Sequence, residues 1–353
     1  MTSSTTMKAL VIKAPYQVAV EDRPIPTIKE DTDVIVKVRT AGLCGSDLHF
    51  YHGHMVLPRL DFILGHEFVG HVCEVGSKIK NFKKGDLVVS PFTTSCGECF
   101  FCQRGQTGRC SKGKVYGSIP LDGAQAEYVR VELADSTLYP APTTIPDECL
   151  ITMADIAPTG YFVASNGYNI LTEFERKKPT TCVVVGCGPV GLCAVTAATS
   201  FFTDVYAIDQ VEDRLVEAKK HGAKDAFNLN DDVESKIKQL TEGRGADVIL
   251  EVVGVEAALH LSVKLARPFG VISSCGIHTK PVTLQGLDLY NKNLRMQFGR
   301  CPVRTYFEPA LEMVGKHQDI FKEFVQHSVP IDEAVKYYDL FDKRKVRKTV
   351  FTF

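Results

Sequence analysis

Four cysteines, spaced Cys-x2-Cys-x2-Cys-x7-Cys, form the most specific chemical pattern in the sequence: Cys96, Cys99, Cys102 and Cys110. Four thiolates at this spacing can complete a tetrahedral zinc shell within one loop. Such a closed shell leaves no position for a substrate, so this metal would stabilise the loop. An iron–sulfur cluster also uses four cysteines, but its usual spacings differ. The spacing therefore predicts a structural zinc site.

A second pattern is Gly-x-Gly-x-x-Gly, formed by Gly186, Gly188 and Gly191. It follows the apolar run 182–185 and opens a helical pattern, which is the context of a dinucleotide-binding turn. The first glycine permits the tight turn, the second lets a pyrophosphate approach, and the third lets helix and strand pack closely. The free N–H groups of the helix N-terminus would bind the phosphates.

Asp209 ends the next predicted strand, about twenty residues after the glycine turn. A carboxylate there would hydrogen-bond the hydroxyls of the adenosine ribose and repel a 2′-phosphate. Gln210 follows it, where a binder of NADP would favour an arginine. The pair predicts a preference for NAD.

A third group is dispersed in the sequence. Cys44 lies in GLCGSDLH, and His66-Glu67 lies in LGHE, 22 residues later. A cysteine and a histidine provide two of the three protein ligands of a catalytic zinc, whose fourth position stays open. Each of these residues alone is also compatible with an ordinary core position.

The elements that must position these residues change in type along the chain. Before about residue 150, Gly and Pro separate short alternating runs that predict strands at 9–13, 33–41, 66–76 and 85–91. After residue 180, predicted strands at 204–209, 226–229, 246–254 and 270–276 alternate with predicted helices at 211–221, 232–241 and 255–266. This alternation predicts βαβ units on a parallel sheet.

Length and composition limit the classes of function. The 353 residues suggest about two domains. Lys plus Arg is 41 and Asp plus Glu is 42, so no basic excess indicates nucleic acid or an anionic membrane. The uncharged run 179–203 is interrupted by glycines and reads as a strand, a turn and a helix. With no secretory signal in the first residues, we expect a cytoplasmic protein whose clustered cysteines bind metal.

Together, these motifs resemble those of the zinc-containing alcohol dehydrogenases of the medium-chain dehydrogenase/reductase superfamily. The segments that carry the resemblance are AGLCGSDLH, GHEFVG, GDLVV, the four-cysteine loop, DIAPTGY and VVVGCGPVGL. The resemblance implies an α/β fold with two domains. A β-rich, GroES-like catalytic domain would comprise residues 1–156 and 298–353. A Rossmann domain with a doubly wound parallel sheet would comprise residues 157–297 and bind NAD.

The resemblance implies that Cys44 and His66 are ligands of a catalytic zinc. Asp155 stands where liver-type members carry a third ligand, a cysteine, and its carboxylate would preserve the charge of the site. Two alternatives stay open. Asp155 would cap the helix that follows, or Glu67 would be the third ligand. We expect Glu67 to orient the shell or to bind zinc transiently.

Further roles follow from the same resemblance. Ser46 and His49 match a proton relay from the substrate hydroxyl, whereas His52 and His54 read as part of a polar loop. Phe92 matches a wall of the substrate pocket.

Three positions match cofactor contacts. Thr159 would touch the nicotinamide, Arg214 would lie near the adenosine ribose, and Lys348 would reach the pyrophosphate, with Arg347 as an alternative.

The sequence departs from the liver-type pattern at two points. Gly45 stands where that branch often has a basic residue, so phosphate binding must depend on the glycine turn. No long insertion follows Cys110, which favours a homo-oligomeric tetramer over a dimer.

These observations predict a zinc-dependent oxidoreductase that interconverts a primary or secondary alcohol and its aldehyde or ketone with NAD. About two zinc ions per chain are expected. The partners would be small molecules, with no nucleic acid and no membrane. Oxidation of a polyol or of formaldehyde on the same scaffold is the alternative. A zinc protein that binds NAD without turnover is the alternative from another class.

Overall fold

A computed structural model describes residues 5–53 and 60–353. The strands are β1 (Thr6–Ala14), β2 (Gln17–Pro24), β3 (Val34–Leu43), β4 (Phe68–Val75), β5 (Leu87–Ser90), β6 (Tyr128–Val131), β7 (Tyr139–Pro140), β8 (Thr181–Val185), β9 (Asp204–Asp209), β10 (Asp225–Asn228), β11 (Ala246–Glu251), β12 (Ala266–Ser274), β13 (Arg295–Phe298), β14 (His327–Pro330) and β15 (Thr349–Thr352).

The helices are α1 (Asp47–Tyr51), α2 (Ala134–Thr137), α3 (Asp147–Leu150), α4 (Ile156–Ile170), α5 (Glu173–Arg176), α6 (Pro189–Ala198), α7 (Glu212–Lys220), α8 (Val233–Leu240), α9 (Glu256–Leu265), α10 (Gly286–Lys292), α11 (Val303–Lys316), α12 (Gln318–Lys322) and α13 (Ala334–Asp342). In the part of the chain that the structure describes, none of them has the length and apolar character needed to cross a membrane.

The chain divides into two compact units. The first unit comprises Met1–Asp155, Pro302–Phe307 and Val314–Phe353, and the second comprises Ile156–Cys301 and Glu308–Met313.

The first unit is rich in β structure. Six strands of a seven-stranded sheet have the order β14-β15-β3-β4-β5-β7, and the seventh, β6, pairs with β3. Strands β1 and β2 form a separate antiparallel sheet. Every second side chain of early β3, from Val34 to Val38, joins a core that Phe68 and Val72 of β4 share. This alternation is the pattern that predicted the strand.

The second unit is a doubly wound parallel sheet. Its six strands have the order β10-β9-β8-β11-β12-β13, and every pairing is parallel. Strands β8, β9 and β11 are buried along almost their whole length, as expected where helices cover both faces. The predicted α/β class, with a GroES-like part and a Rossmann part, is confirmed.

Several strands, among them β2 and β13, were not predicted from the sequence. β2 has a single buried side chain, Val18, so its sequence lacks a clear apolar alternation. β13 is a four-residue edge strand in which Arg295 and Gln297 replace the expected apolar residues. Both strands form because a neighbouring strand offers free backbone groups, which a local pattern does not reveal.

Candidate functional site

The four-cysteine loop brings its sulfur atoms together. All four Sγ atoms lie within 4.8 Å of one another. Two short 3-10 turns, Cys102–Arg104 and Thr107–Arg109, wrap the loop. Gly97 and Gly105 allow this path because both have positive φ, 76° and 70°. The donor set fits a tetrahedral zinc ion.

The environment of this loop favours thiolate at one position. Backbone N–H groups of Cys102 and Ser111 lower the pKa of the Cys99 thiol to about 5. Burial raises the pKa of Cys102 to about 12. Zinc binding requires deprotonated cysteines, so metal uptake by this loop would release protons.

A second group of four possible ligands lies in the first unit. One ligand atom from each residue falls within 4.8 Å of the others, for Cys44, His66, Glu67 and Asp155. The Cys44 Sγ and Asp155 Oδ2 atoms are 3.9 Å apart, and His66 Nε2 is 3.5 Å from the same oxygen.

Strand register explains why residues 22 positions apart meet. β3 and β4 are antiparallel, with Ala41 opposite Phe68, and the N–H of Gly42 donates to the Glu67 carbonyl at 2.9 Å. Continuing this register beyond both strands places Leu43 opposite His66 and Cys44 opposite Gly65, so Cys44 and His66 come from adjacent positions of the two chain segments. Asp155 joins them at the end of a short 3-10 turn, Ile151–Ala154.

Asp47 orients the histidine, and the sequence analysis did not identify it. Its Oδ1 atom lies 3.1 Å from His66 Nδ1, and its Oδ2 atom accepts the Cys44 N–H at 3.0 Å. A proton shared at Nδ1 leaves the Nε2 lone pair for a metal. Burial alone would lower the pKa of His66, but the charge of Asp47 and hydrogen bonds to Asp155 and Asp47 raise it well above its usual value. The sequence signal that could have identified Asp47 is an aspartate three residues after the predicted ligand Cys44.

Glu67 is fully buried and forms an ion pair with Lys348. Burial raises the pKa of Glu67, and the Glu67 carboxylate raises the pKa of Lys348 against its own burial. The other oxygen, Oε1, is buried and has no hydrogen-bond partner within residues 5–53 and 60–353. An unsatisfied buried acceptor beside a thiol, an imidazole and a carboxylate fits a cation.

The structure places Lys348 in this ion pair. Its side chain is only 3% exposed and its ammonium group contacts Glu67, so a contact with a cofactor pyrophosphate stays a prediction. Arg347, the alternative, is partly exposed.

The serine and histidine of the predicted relay lie at the start of α1. The Ser46 Oγ atom is 3.2 Å from Cys44 Sγ and 3.4 Å from His66 Nε2. The His49 N–H donates to the Ser46 carbonyl at 3.2 Å. The Ser46 hydroxyl therefore lies at the ligand cluster, and a relay through His49 stays a prediction.

Phe92 borders the same cluster. Its ring is 6.3 Å from the His66 ring, at an interplanar angle of 83°. Its N–H donates to the Ala154 carbonyl at 3.0 Å, which ties it to the residue before Asp155.

His52, which was predicted to lie in a polar loop, has its Nε2 atom 2.6 Å from Asp342 Oδ1.

His54 lies outside the described residues, so its predicted place in a polar loop has no structural counterpart here.

The glycine turn of the second unit has the steric properties that its pattern predicts. Gly186 has a φ of 98°, and a Cβ on Gly191 would lie 1.9 Å from the Gly186 carbonyl oxygen. A Cβ on Gly188 would meet nothing within 4 Å. The third glycine is thus required for packing, while the second leaves space at the N-terminus of α6 for a ligand. This cradle fits a pyrophosphate.

Asp209 lies at the end of β9 and also holds the glycine turn. Its Oδ2 atom accepts the Cys187 N–H at 2.7 Å, and Oδ1 accepts the Val211 N–H at 3.0 Å. Arg214 Nη1 is 3.6 Å from Oδ2. Thr159 is buried in the first turn of α4. The structure brings Asp209 and Arg214 together beside the turn, and the cofactor contacts of all three residues stay predictions.

Comparison with known proteins places both units in one family. Residues 30–143 match the alcohol dehydrogenase GroES-like domain, and residues 189–316 match the zinc-binding dehydrogenase domain. The chain is 46% identical to zinc-type alcohol dehydrogenase B of Aspergillus flavus over 99% of this chain and 82% of that protein. It is 32% identical to sorbitol dehydrogenase of Bacillus subtilis over 77% of this chain and 75% of that protein.

A solved structure has the same fold. Alcohol dehydrogenase TADH from Thermus sp. ATN1 superposes with a TM-score of 0.90 at 33% identity, covering 98% of this chain and 99% of that one.

Proposed function

The chain belongs to the zinc-containing alcohol dehydrogenase family of the medium-chain dehydrogenase/reductase superfamily, and on this basis we propose that it oxidises an alcohol to an aldehyde or ketone with NAD and zinc. The observation that carries the proposal is the cluster of Cys44, His66 and Asp155, in which His66 is buried and the other two are partly buried, with the Ser46 hydroxyl at its edge. Three ligands and a neighbouring hydroxyl are the arrangement of a catalytic zinc with one open position.

Zinc bound by these three residues would act as a Lewis acid that lowers the pKa of an alcohol hydroxyl. The chain supplies the remaining functions. Asp47 holds the His66 ring with Nε2 directed at the cluster, at 3.1 Å from Nδ1. Ser46 lies close enough to the ligands to receive a hydroxyl proton, and His49, three residues later on α1, would pass it on. Phe92 gives the site an apolar border.

The second unit would bind NAD, which supplies the redox chemistry. The N-terminus of α6 and the open side of Gly188 fit the pyrophosphate, as described above. The Asp209 carboxylate would disfavour a 2′-phosphate by charge repulsion. The Arg214 guanidinium group lies 3.6 Å from this carboxylate, so it would pair with Asp209 before it paired with a 2′-phosphate.

Oxidation of a polyol is the second candidate, favoured by the relationship to sorbitol dehydrogenase of Bacillus subtilis. The four-cysteine loop counts mildly against it, since polyol dehydrogenases often lack that loop. A homo-oligomer, with a tetramer favoured over a dimer, and a cytoplasmic location remain part of the proposal.

Formation of NADH with a panel of primary, secondary and polyhydric alcohols tests the proposal. The zinc-loaded protein should turn over at least one alcohol, and Cys44→Ala should abolish that turnover. Cys73→Ala is the matched control, because Cys73 lies on β4 and donates to the Ile35 carbonyl away from the cluster. Absence of turnover in both directions with every alcohol and carbonyl compound would refute the proposed function.

A further inference from the structure

A buried cluster of polar side chains lies at the carboxyl edge of the parallel sheet. Glu251 ends β11, Ser274 ends β12, and His278 follows four residues later. The Ser274 hydroxyl donates to Glu251 Oε2 at 2.6 Å, and His278 Nε2 lies 3.3 Å from the same oxygen. The Glu251 side chain is fully buried, and that of His278 is 14% exposed.

The contacts of Glu251 restrict the tautomer of a neutral His278 ring. Glu251 Oε1 accepts the N–H groups of Val253 at 2.8 Å and Gly254 at 2.7 Å. A carboxylate only accepts hydrogen bonds, so His278 must carry its proton on Nε2 to pair with it. A neutral ring then presents a lone pair at Nδ1. Nδ1 is buried and has no hydrogen-bond partner among the residues that the structure describes.

The cluster lies at the topological switch point of the sheet. Strand order reverses between β8 and β11, and dinucleotides bind in the crevice outside the carboxyl ends of strands at such a point. The glycine turn and Asp209 occupy the β8–β9 side. A Cβ on Gly186 would lie 2.5 Å from Val253 Cγ2, so the loop after β11 borders the glycine turn directly. His278 lies on the β11–β12 side, away from the adenosine-binding residues.

Large apolar side chains are exposed in the segments on either side of this cluster. Val253 is 46% exposed and Ile277 is 59% exposed, although both are large hydrophobic residues. The Phe298 ring stands at 67° to the His278 ring, with 5.9 Å between their centroids. An apolar surface with one buried acceptor suits a flat aromatic group that carries a few hydrogen-bond donors.

We propose that His278 is a further cofactor-binding residue, whose Nδ1 atom accepts a hydrogen bond from the nicotinamide nucleoside half of the dinucleotide. The inference rests on the proposed use of NAD. Two donors in that half have the required chemistry, a ribose hydroxyl and the carboxamide NH2 group. Glu251 is the positioning residue that fixes the tautomer, and Ser274 supports Glu251.

Two substitutions separate the nitrogens of the ring. His278→Gln places an amide near the position of Nε2 and can still pair with Glu251, but it leaves nothing at Nδ1. His278→Asn places a polar atom near Nδ1 but does not reach Glu251. Calorimetric titration then measures the dissociation constants of three ligands. NADH contains the whole nicotinamide half, ADP-ribose contains only its ribose, and ADP contains neither.

His278→Gln should weaken NADH binding about tenfold and leave ADP binding unchanged, while His278→Asn should stay within about threefold of the native protein. Weakened ADP-ribose binding in His278→Gln would identify the donor as the ribose hydroxyl, and unchanged ADP-ribose binding would identify the carboxamide. Equal weakening of ADP and NADH, unchanged NADH binding, or equal behaviour of the two variants would overturn the assignment. If the native protein bound neither NADH nor ADP, the proposed function itself would fail.

Discussion

Glu67 and Lys348 form a buried ion pair directly beside the Cys44–His66–Asp155 cluster, although they are 281 residues apart in the sequence. Pairing of β15 with β3, which is itself paired with β4, brings them together. The lysine satisfies one oxygen of Glu67 and leaves the other buried beside the proposed ligands. The residue that precedes the C-terminal strand therefore contributes a positive charge beside the candidate metal site.

Removing the lysine alone should be strongly destabilising. Lys348→Met leaves an unpaired buried carboxylate, which typically costs about 3–5 kcal/mol. Urea denaturation at a fixed zinc concentration measures the free energy of unfolding. Lys236→Met is the control, since that lysine forms an exposed pair with Asp231 worth about 1 kcal/mol or less.

The double variant Lys348→Met/Glu67→Gln should recover part of the lost stability, because no unpaired charge remains. A loss below about 1 kcal/mol for Lys348→Met would show that the pair does not behave as a buried one.

Asp47 should tune zinc affinity without being a ligand. Asp47→Asn can still contact His66, but a neutral amide no longer favours the tautomer that leaves Nε2 free. Loss of such a partner typically costs about 10–100-fold in metal affinity. Competition with a chelator measures the affinity, with Asp31→Asn, an exposed carboxylate paired with Lys78, as the control. Equal zinc affinity in both variants would assign Asp47 a purely structural role.

The native protein should contain about two zinc ions per chain. Cys99→Ala should lose one of them and unfold at a lower temperature, because the four-cysteine site only stabilises its loop. Cys44→Ala should lose the other zinc with a smaller effect on stability. Elemental analysis and thermal denaturation of both variants, with Cys73→Ala as control, measure these effects. One zinc per chain in an active native sample would eliminate one of the two sites.

Asp209 should determine the choice of cofactor. Asp209→Ala removes the charge that opposes a 2′-phosphate, so the ratio of kcat/KM for NAD over NADP should fall. Because the carboxylate also accepts the Cys187 N–H, the variant should bind both cofactors less tightly. Steady-state kinetics with each cofactor test this. Comparable kcat/KM values for NAD and NADP in the native enzyme would contradict the assignment.

A feature could be predicted from the sequence when its residues lie in one short segment, and it was missed when it depends on contacts between distant segments. The glycine turn and the four-cysteine loop are each contained in one short segment, so their residue types and spacing specify the geometry. Cys44, His66 and Asp155 come from three segments. The residue types suggested Cys44 and His66 as two zinc ligands, and only the family resemblance added Asp155. The partner of Lys348 was missed because a β15–β3 pairing leaves no local pattern. β2 and β13 were missed for the same reason, since neither carries a clear apolar alternation.

Asp155 should be the third ligand of the catalytic zinc. Asp155→Asn removes one negative charge beside Cys44 and His66, so activity should collapse and this zinc should become labile, while the four-cysteine site keeps its metal. Asp155→Cys should retain some zinc because it restores the charge, although its different reach and softer donor would misplace the metal. Glu67→Gln should be less harmful to zinc binding, because Glu67 already pairs with Lys348. Zinc content and turnover of the three variants decide between the residues. Near-normal zinc and turnover in Asp155→Asn, with loss of both in Glu67→Gln, would make Glu67 the ligand.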